Sequence, residues 1–277
     1  MEHFDEIVTD PRLTCDVVEA HLDGLTTDDY LLDEYHVCAS GGSSGRRGVF
    51  VYDFEGWTTA TVSSIRFGAR MRKQVLGPDV KLPVMAMVAA DKASHMTSAM
   101  SQTFSTPGGL THLLPATWRL DRIVAGLNEL QPDWLMGYAS MVDQLTSEAA
   151  AGRLRIAPKL VTANGEPLPP NIREAVAATW KAPLLNGLGT TEGLMGGSCS
   201  AGRGIHLSDD LCIIEPVDAQ GNPVLPGERA AKVYVTNLYN LTQPLIRYEL
   251  TDEVTVLDDP CPCGSTLLRI DDILGTR

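Results

Sequence analysis

The chain has 277 residues, 44% hydrophobic and 21% charged, with a formal net charge of -13. That length holds one large domain or two modest ones, and an acidic surface repels nucleic-acid phosphates and anionic lipid, so neither nucleic acid nor membrane is an expected partner. No apolar run approaches the ~20 residues that cross a bilayer, and the acidic start MEHFDEIVTD lacks the regions of a secretory signal, so the expected location is cytoplasmic.

Residues up to about Tyr35 read as polar, acidic helices and turns with little core of their own. A Gly/Ser loop, CASGGSSGRRG, then leads into a strand at GVFVYD. WTTATVSSIRFGARMRKQVL carries apolar residues at helical spacing and ends before the turn GPDV. LPVMAMVAA reads as a short buried strand, and LDRIVAGLNELQP as a helix stopped at Pro132. DWLMGYASMVDQLTSEAAAGRL reads as a strand running into a helix. APKLVTANGEPLPPNIREAVAATW is a strand, a Gly/Pro turn and a helix with Pro at its start, and APLLNGLGTTEG is a further strand and loop. This alternation predicts an α/β fold with a layered, mostly parallel sheet. After about Ile205 the segments LCIIEPVD, AQGNPVLPGE, AAKVYVTNL and EVTVLDD predict short strands between turns. The expected organisation is an α/β core over 1–204 and a smaller β-rich subdomain over 205–277.

Three segments carry chemistry. In the Gly/Ser loop, consecutive glycines let backbone N–H groups close on an anion, and Ser40, Ser43 and Ser44 add hydroxyl donors. No Gly-Lys pair follows, so it is not a P-loop, and alone it reads better as a flexible surface loop. In NGLGTTEG (186–193) a buried strand ends in glycines, two threonines and a glutamate. Ligands of α/β sheets bind beyond such strand ends, where a glutamate can hold magnesium and hydroxyls can meet a phosphate. A plain turn with threonine capping is the alternative. In PLIRYELTDEV (244–254) an aspartate at a strand end can accept both hydroxyls of a ribose. A surface salt bridge or turn residue is the blander reading.

Together and in this order, the segments resemble the adenylate-forming (AMP-binding) superfamily of acyl-CoA synthetases, and within it the phenylacetate–CoA ligase branch. SGGSSGRRGVFVYD is similar to that branch's phosphate loop and strand, ANGEPLPPNIREAV to its Gly-Glu-Pro segment, and LGTTEG to its Tyr-Gly-x-[ST]-Glu motif. GERAAKVYVTNLYNLTQPLIRYELTDEV resembles the stretch through its aspartate motif, and CPCGSTLLRIDDILGTR its Cys-x-Cys-Gly segment and Gly-Arg hinge. The resemblance implies that Ser40, Gly41, Gly42, Ser43, Ser44 and Gly45 wrap the β- and γ-phosphates of ATP. It implies that Gly165, Glu166 and Pro167 border the adenine, and that Gly189 and Thr190 lie along the adenylate. Thr191 is implied at the α-phosphate, Glu192 at magnesium and Asp252 at the ribose. The implied reaction is attack of an aryl or similar carboxylate on the α-phosphorus, giving acyl-AMP and pyrophosphate, then transfer to CoA. Leu188 replaces the motif's tyrosine, and Arg46-Arg47 stand where many relatives have Lys-Pro. The chain resembles an internal fragment without the N-terminal segment and the C-terminal lysine domain, expected to bind nucleotide without full ligase activity. A non-catalytic nucleotide-binding module and a structural remnant of the fold are the alternatives.

Six scattered cysteines do not make a disulfide framework in a chain of this length. Cys261 and Cys263, one proline apart, can face a single zinc ion. Cys199 and His206 are the nearest further ligands, and the same branch looks similar at both places, which implies a Cys3His structural zinc. Unmetallated thiols are the alternative.

Overall fold

The computed structural model describes residues 3–40, 47–77, 83–104, 110–201 and 203–271. Its centre is an eight-stranded sheet of order β13-β9-β8-β7-β6-β5-β3-β4. Five strands run parallel: β3 (Met85–Ala89), β4 (Thr111–Pro115), β5 (Trp134–Tyr138), β6 (Leu160–Asn164) and β7 (Leu184–Gly189). Ala86, Val88, Leu135, Leu160, Val161 and Ala163 have no measurable exposure, as strands covered on both faces require.

The covering helices follow from spacing and caps. α5 (Leu120–Leu130) sets Ile123, Val124 and Leu127 on one stripe against Val88, Leu114 and Leu135, and ends at Gln131 in the left-handed region (φ 50°) before Pro132. α6 (Ala139–Ala150) follows β5 directly, and α7 (Pro170–Trp180) begins with Pro170, whose missing N–H costs nothing there. α3 (Phe54–Leu76) starts where Asp53 Oδ1 accepts from Gly56 N at 2.7 Å. It lies so close on β8 (Met195–Ser198) that a Cβ on Gly197 would sit 2.6 Å from the Cβ of Phe67. Two further helices, α2 (Cys15–Gly24) and α4 (Met96–Thr103), flank the amino-terminal half.

Several details differ from the sequence reading. The first 35 residues do carry a core, because Phe4, Leu13, Val18 and Leu22 pack against Val37, Val49 and Val51 of later strands. GVFVYD becomes β2 (Val49–Asp53), which pairs antiparallel with β1 (Tyr35–Ala39) outside the large sheet. Beyond residue 204, β9 (Ile205–Leu207) and β13 (Arg269–Ile270) extend the large sheet antiparallel to their neighbours. β10 (Cys212–Val217), β11 (Lys232–Asn237) and β12 (Tyr248–Leu250) form a separate three-stranded antiparallel sheet. AQGNPVLPGE and EVTVLDD contribute isolated bridges, at Pro223, Thr255 and Val256, in place of strands. Among the described residues no helix is long and apolar enough to cross a membrane.

Candidate functional site

The carboxyl ends of β5, β6 and β7 lie side by side at Tyr138, Asn164 and Gly189. That edge is where open α/β sheets take ligands. Beyond β7 the chain makes a tight turn before β8: Thr190 N donates to Leu194 O at 3.0 Å, and Leu194 N to Thr190 Oγ1 at 3.2 Å. Glu192 is carried in this turn with 9% exposure, and burial, with the charge of Asp252 adding, pushes its carboxyl above the usual range. Thr191 Oγ1 donates to Glu192 Oε2 at 3.4 Å. Tyr248 faces the same carboxylate, and its phenol is raised first by burial and then by that charge. Burial raises Asp252 too. A carboxylate is expensive to bury without a counter-charge, and no lysine or arginine of the described residues figures among the main influences on either group.

The glutamate and aspartate motifs therefore meet. Thr190 and Asp252, with Leu188, line one small cavity of about 20 Å³. Ser40 closes the neck of the β1–β2 hairpin: its N donates to Gly48 O at 2.9 Å, and its Oγ accepts from Gly48 N at 2.7 Å. Gly41, Gly42, Ser43, Ser44 and Gly45, with Arg46, lie outside the described residues. Arg47 pairs with Asp23 at 2.7 Å on the surface, and Arg247 donates to Glu215 at 3.1 Å.

Gly165 (φ 69°) places its Cα against the Tyr138 ring, where a Cβ would lie 3.2 Å from two ring carbons. Glu166 caps α6, accepting from Ser140 N at 2.7 Å and Ser140 Oγ at 3.0 Å, and Pro167 beside it is exposed. Sequence reasoning missed Asn164, whose buried Oδ1 has no hydrogen-bond partner among the described residues and so offers an unused acceptor at this edge. Its place as the last residue before Gly165 was the available signal.

A second constellation joins β8, β9 and the segment before β13. The ligand atoms of Cys199, His206, Cys261 and Cys263 all lie within 4.8 Å of one another. Sγ of Cys261 is 3.2 Å from Sγ of both Cys199 and Cys263, and Cys263 Sγ is 3.3 Å from His206 Nε2. His206 Nδ1 lies 3.1 Å from Leu267 O, a carbonyl that only accepts, which leaves the Nε2 lone pair facing the thiols. Burial lifts the Cys199 thiol to about 11. At Cys263 burial is outweighed by the Ser265 amide and the neighbouring thiols and imidazole, which hold it down at about 6. Three thiols and one imidazole are the donor set of a structural zinc site.

No protein-family profile matches this sequence, and no curated protein matches it. Solved structures do. The fold is that of adenylate-forming enzyme domains. A 2-hydroxyisobutyryl-CoA ligase in complex with 2-HIB-AMP, in the postadenylation state, is 19% identical with a TM-score of 0.70, over 99% of this chain and 59% of that one. MbtA of Mycobacterium smegmatis is 17% identical with a TM-score of 0.59, over 87% of this chain and 45% of that one. The N-terminal subdomain of Klebsiella oxytoca NpsA, in complex with 3-hydroxybenzoyl-AMSN, is 14% identical with a TM-score of 0.54, over 87% and 63%. The chain thus spans about half of the length of the first of these structures.

Proposed function

We propose that this chain forms the nucleotide- and acyl-adenylate-binding core of an acid–thiol ligase of the adenylate-forming superfamily, in its phenylacetate–CoA ligase-like branch. Its substrates are a small aryl or similar carboxylic acid, ATP and CoA. The observation that carries this reading is the meeting of Thr190, Glu192 and Asp252 at the carboxyl edge of the sheet, where a buried and a half-buried carboxylate are both disfavoured by burial, with no lysine or arginine of the described residues among their main influences.

In this reading the loop from Ser40 to Gly45 holds the β- and γ-phosphates on its amides and hydroxyls. Thr191 steadies the α-phosphate, Asp252 accepts the ribose hydroxyls, and Gly165, Glu166 and Pro167 border the adenine beside Tyr138. Gly189 and Thr190 lie along the acyl-adenylate. Glu192 fits magnesium, because a divalent cation relieves a carboxylate that burial disfavours. When bound, the ion neutralises developing phosphate charge. The carboxylate attacks the α-phosphorus and pyrophosphate leaves. The chain's part is positioning and charge stabilisation. Cys199, His206, Cys261 and Cys263 hold a structural zinc that pins β9 to the 261–263 turn.

Two measurements test this. ATP with magnesium should stabilise the fold by ~2.7 kcal/mol at a hundredfold excess over its dissociation constant. Exchange of labelled pyrophosphate into ATP should then depend on a carboxylic acid drawn from an aryl and short-chain panel. Binding without exchange reduces the chain to a nucleotide-binding module, and no binding overturns the proposal.

A further inference from the structure

Three consecutive carbonyls of the Glu192 turn are each held by a side chain from a distant element. Tyr52 Oη donates to Thr191 O at 2.6 Å, Asn237 Nδ2 to Glu192 O at 2.9 Å, and Tyr239 Oη to Gly193 O at 2.8 Å. Peptide units are planar, so holding successive carbonyls fixes the dihedrals between them. That in turn fixes the directions in which Thr191 and Glu192 point their side chains.

The donors are themselves anchored. Asn237 Oδ1 accepts from Tyr239 N and Asn240 N, both at 2.9 Å. Asn240 Nδ2 donates to Val51 O at 3.0 Å, and its Oδ1 accepts from Gln243 N at 3.2 Å. The Gln243 amide pairs twice with β2: Oε1 accepts from Val51 N at 2.8 Å and Nε2 donates to Val49 O at 3.1 Å. Asn237, Asn240 and Gln243 are 6%, 1% and 1% exposed, and the bonds from Asn237 to Glu192 O, from Asn240 N to Asn237, and those that Asn240 and Gln243 make with each other and with β2 are buried. Buried amides in such a network are costly unless all partners are met, and met they specify one geometry. β2 and β7 belong to different sheets, so no strand ladder registers the hairpin carrying Ser40 against the turn carrying Glu192.

We infer that Asn237, Asn240 and Gln243, spaced three apart, form a positioning element that, with Tyr52 and Tyr239, sets Thr191 and Glu192 against the β1–β2 hairpin. The inference rests on the nucleotide site proposed above for its functional meaning. The relay substitutes side-chain amides for a shared sheet. One end grips the turn and the other grips the strand that leaves the Gly/Ser loop. These five residues act through the backbone that carries Thr191 and Glu192.

The test uses Tyr52→Phe, which removes one hydroxyl, and Asn237→Asp, which keeps the acceptor for two amides and removes the donor to Glu192 O. Gln243→Glu, which touches no atom of the turn, is the third variant. Hydrogen exchange of the backbone amides at 190–194 is compared with that in β3, β5 and β6, alongside the melting temperature and the affinity for ATP with magnesium. Each variant should speed exchange at 190–194 by about fivefold, the worth of one hydrogen bond, while the distal strands keep their rates. ATP should bind more weakly by a similar factor. Unchanged exchange at 190–194, or an increase spread evenly over all strands, overturns the inference. If the native chain binds no ATP, the functional reading fails, and the exchange pattern still decides whether the relay positions the turn.

Discussion

The imidazole of His36 stacks on the indole of Trp57 with ring centroids 3.8 Å apart and planes within 15°. The edge of Tyr30 closes one side, Asp28 Oδ1 lies 3.4 Å from Nδ1, and His21 is near enough for its charge to be felt. Burial first, and His21 second, bring this imidazole down to about 4. The folded chain therefore takes up the proton later than the unfolded chain, whose histidine titrates at the ordinary 6.5. Above that value the group contributes nothing to the pH dependence. Below it stability falls by about 1.4 kcal/mol per pH unit until the folded value is reached. Urea unfolding between pH 7 and pH 4 should show this slope, and His36→Phe should remove that part of it. An unaltered slope in the variant contradicts the assignment.

Glu192 works in the opposite sense. Its carboxyl is raised in the folded state, so its contribution to stability is present below the ordinary carboxylate range and is lost as pH rises through the folded value. Burial disfavours the charged form of this carboxyl in the metal-free chain. Glu192→Gln should then raise the melting temperature by about 2 °C, roughly 1 kcal/mol, in the absence of ligand. The same variant should lose the magnesium-dependent part of the stabilisation by ATP. Melting curves with ATP, with and without magnesium, check both halves. A variant that melts lower than the native chain refutes the first.

Gly193 sits at φ 98°, and a Cβ there would collide with Asn237 Nδ2 and the Tyr239 hydroxyl. Gly193→Ala is expected to cost roughly 2–4 kcal/mol, from dihedral strain and the displaced donors together. Gly227 has a similar φ of 86° with nothing near its Cβ position. Gly227→Ala isolates the strain, at about 1 kcal/mol. Denaturant unfolding of the two variants separates the terms, and equal losses would show that the collision is relieved without effect.

Chain purified without added metal should contain stoichiometric zinc, and Cys263→Ser with Cys261→Ser should abolish it. Removal by a chelator should lower the melting temperature and speed hydrogen exchange in β9, which carries His206, and in β13, which pairs with it. Metal analysis showing no zinc in the native chain removes the assignment.

The strands β3, β5, β6 and β7 and the helices α5, α6 and α7 were readable because these parallel strands are largely apolar runs closed by turn residues, whereas α4 and the more exposed β4, THLLP, went unread. Thr190, Glu192 and Asp252 drew notice in the sequence for a related reason, since glycines and acidic residues mark strand ends. The β1–β2 pairing was hidden because the partner strand, YHVCA, has no turn signal before it. MGGS looks like a loop, yet forms β8, because glycines there admit α3 at close range. The polar letters of NLYNLTQ also read as loop. Their partners lie far off in the chain, 189 residues from Asn240 and 194 from Gln243, and no local pattern reports a contact of that range.

The Gln243 and Asn240 amides have one more consequence, for association between chains. β1 occupies one side of β2, and a bare second side would present free N–H and C=O groups as a template for a foreign strand. Val51 N, Val51 O and Val49 O on that side are already taken by side chains. That edge of β2 is thereby closed to a foreign strand, so the hairpin can carry a glycine-rich connection without this edge becoming a seed for aggregation.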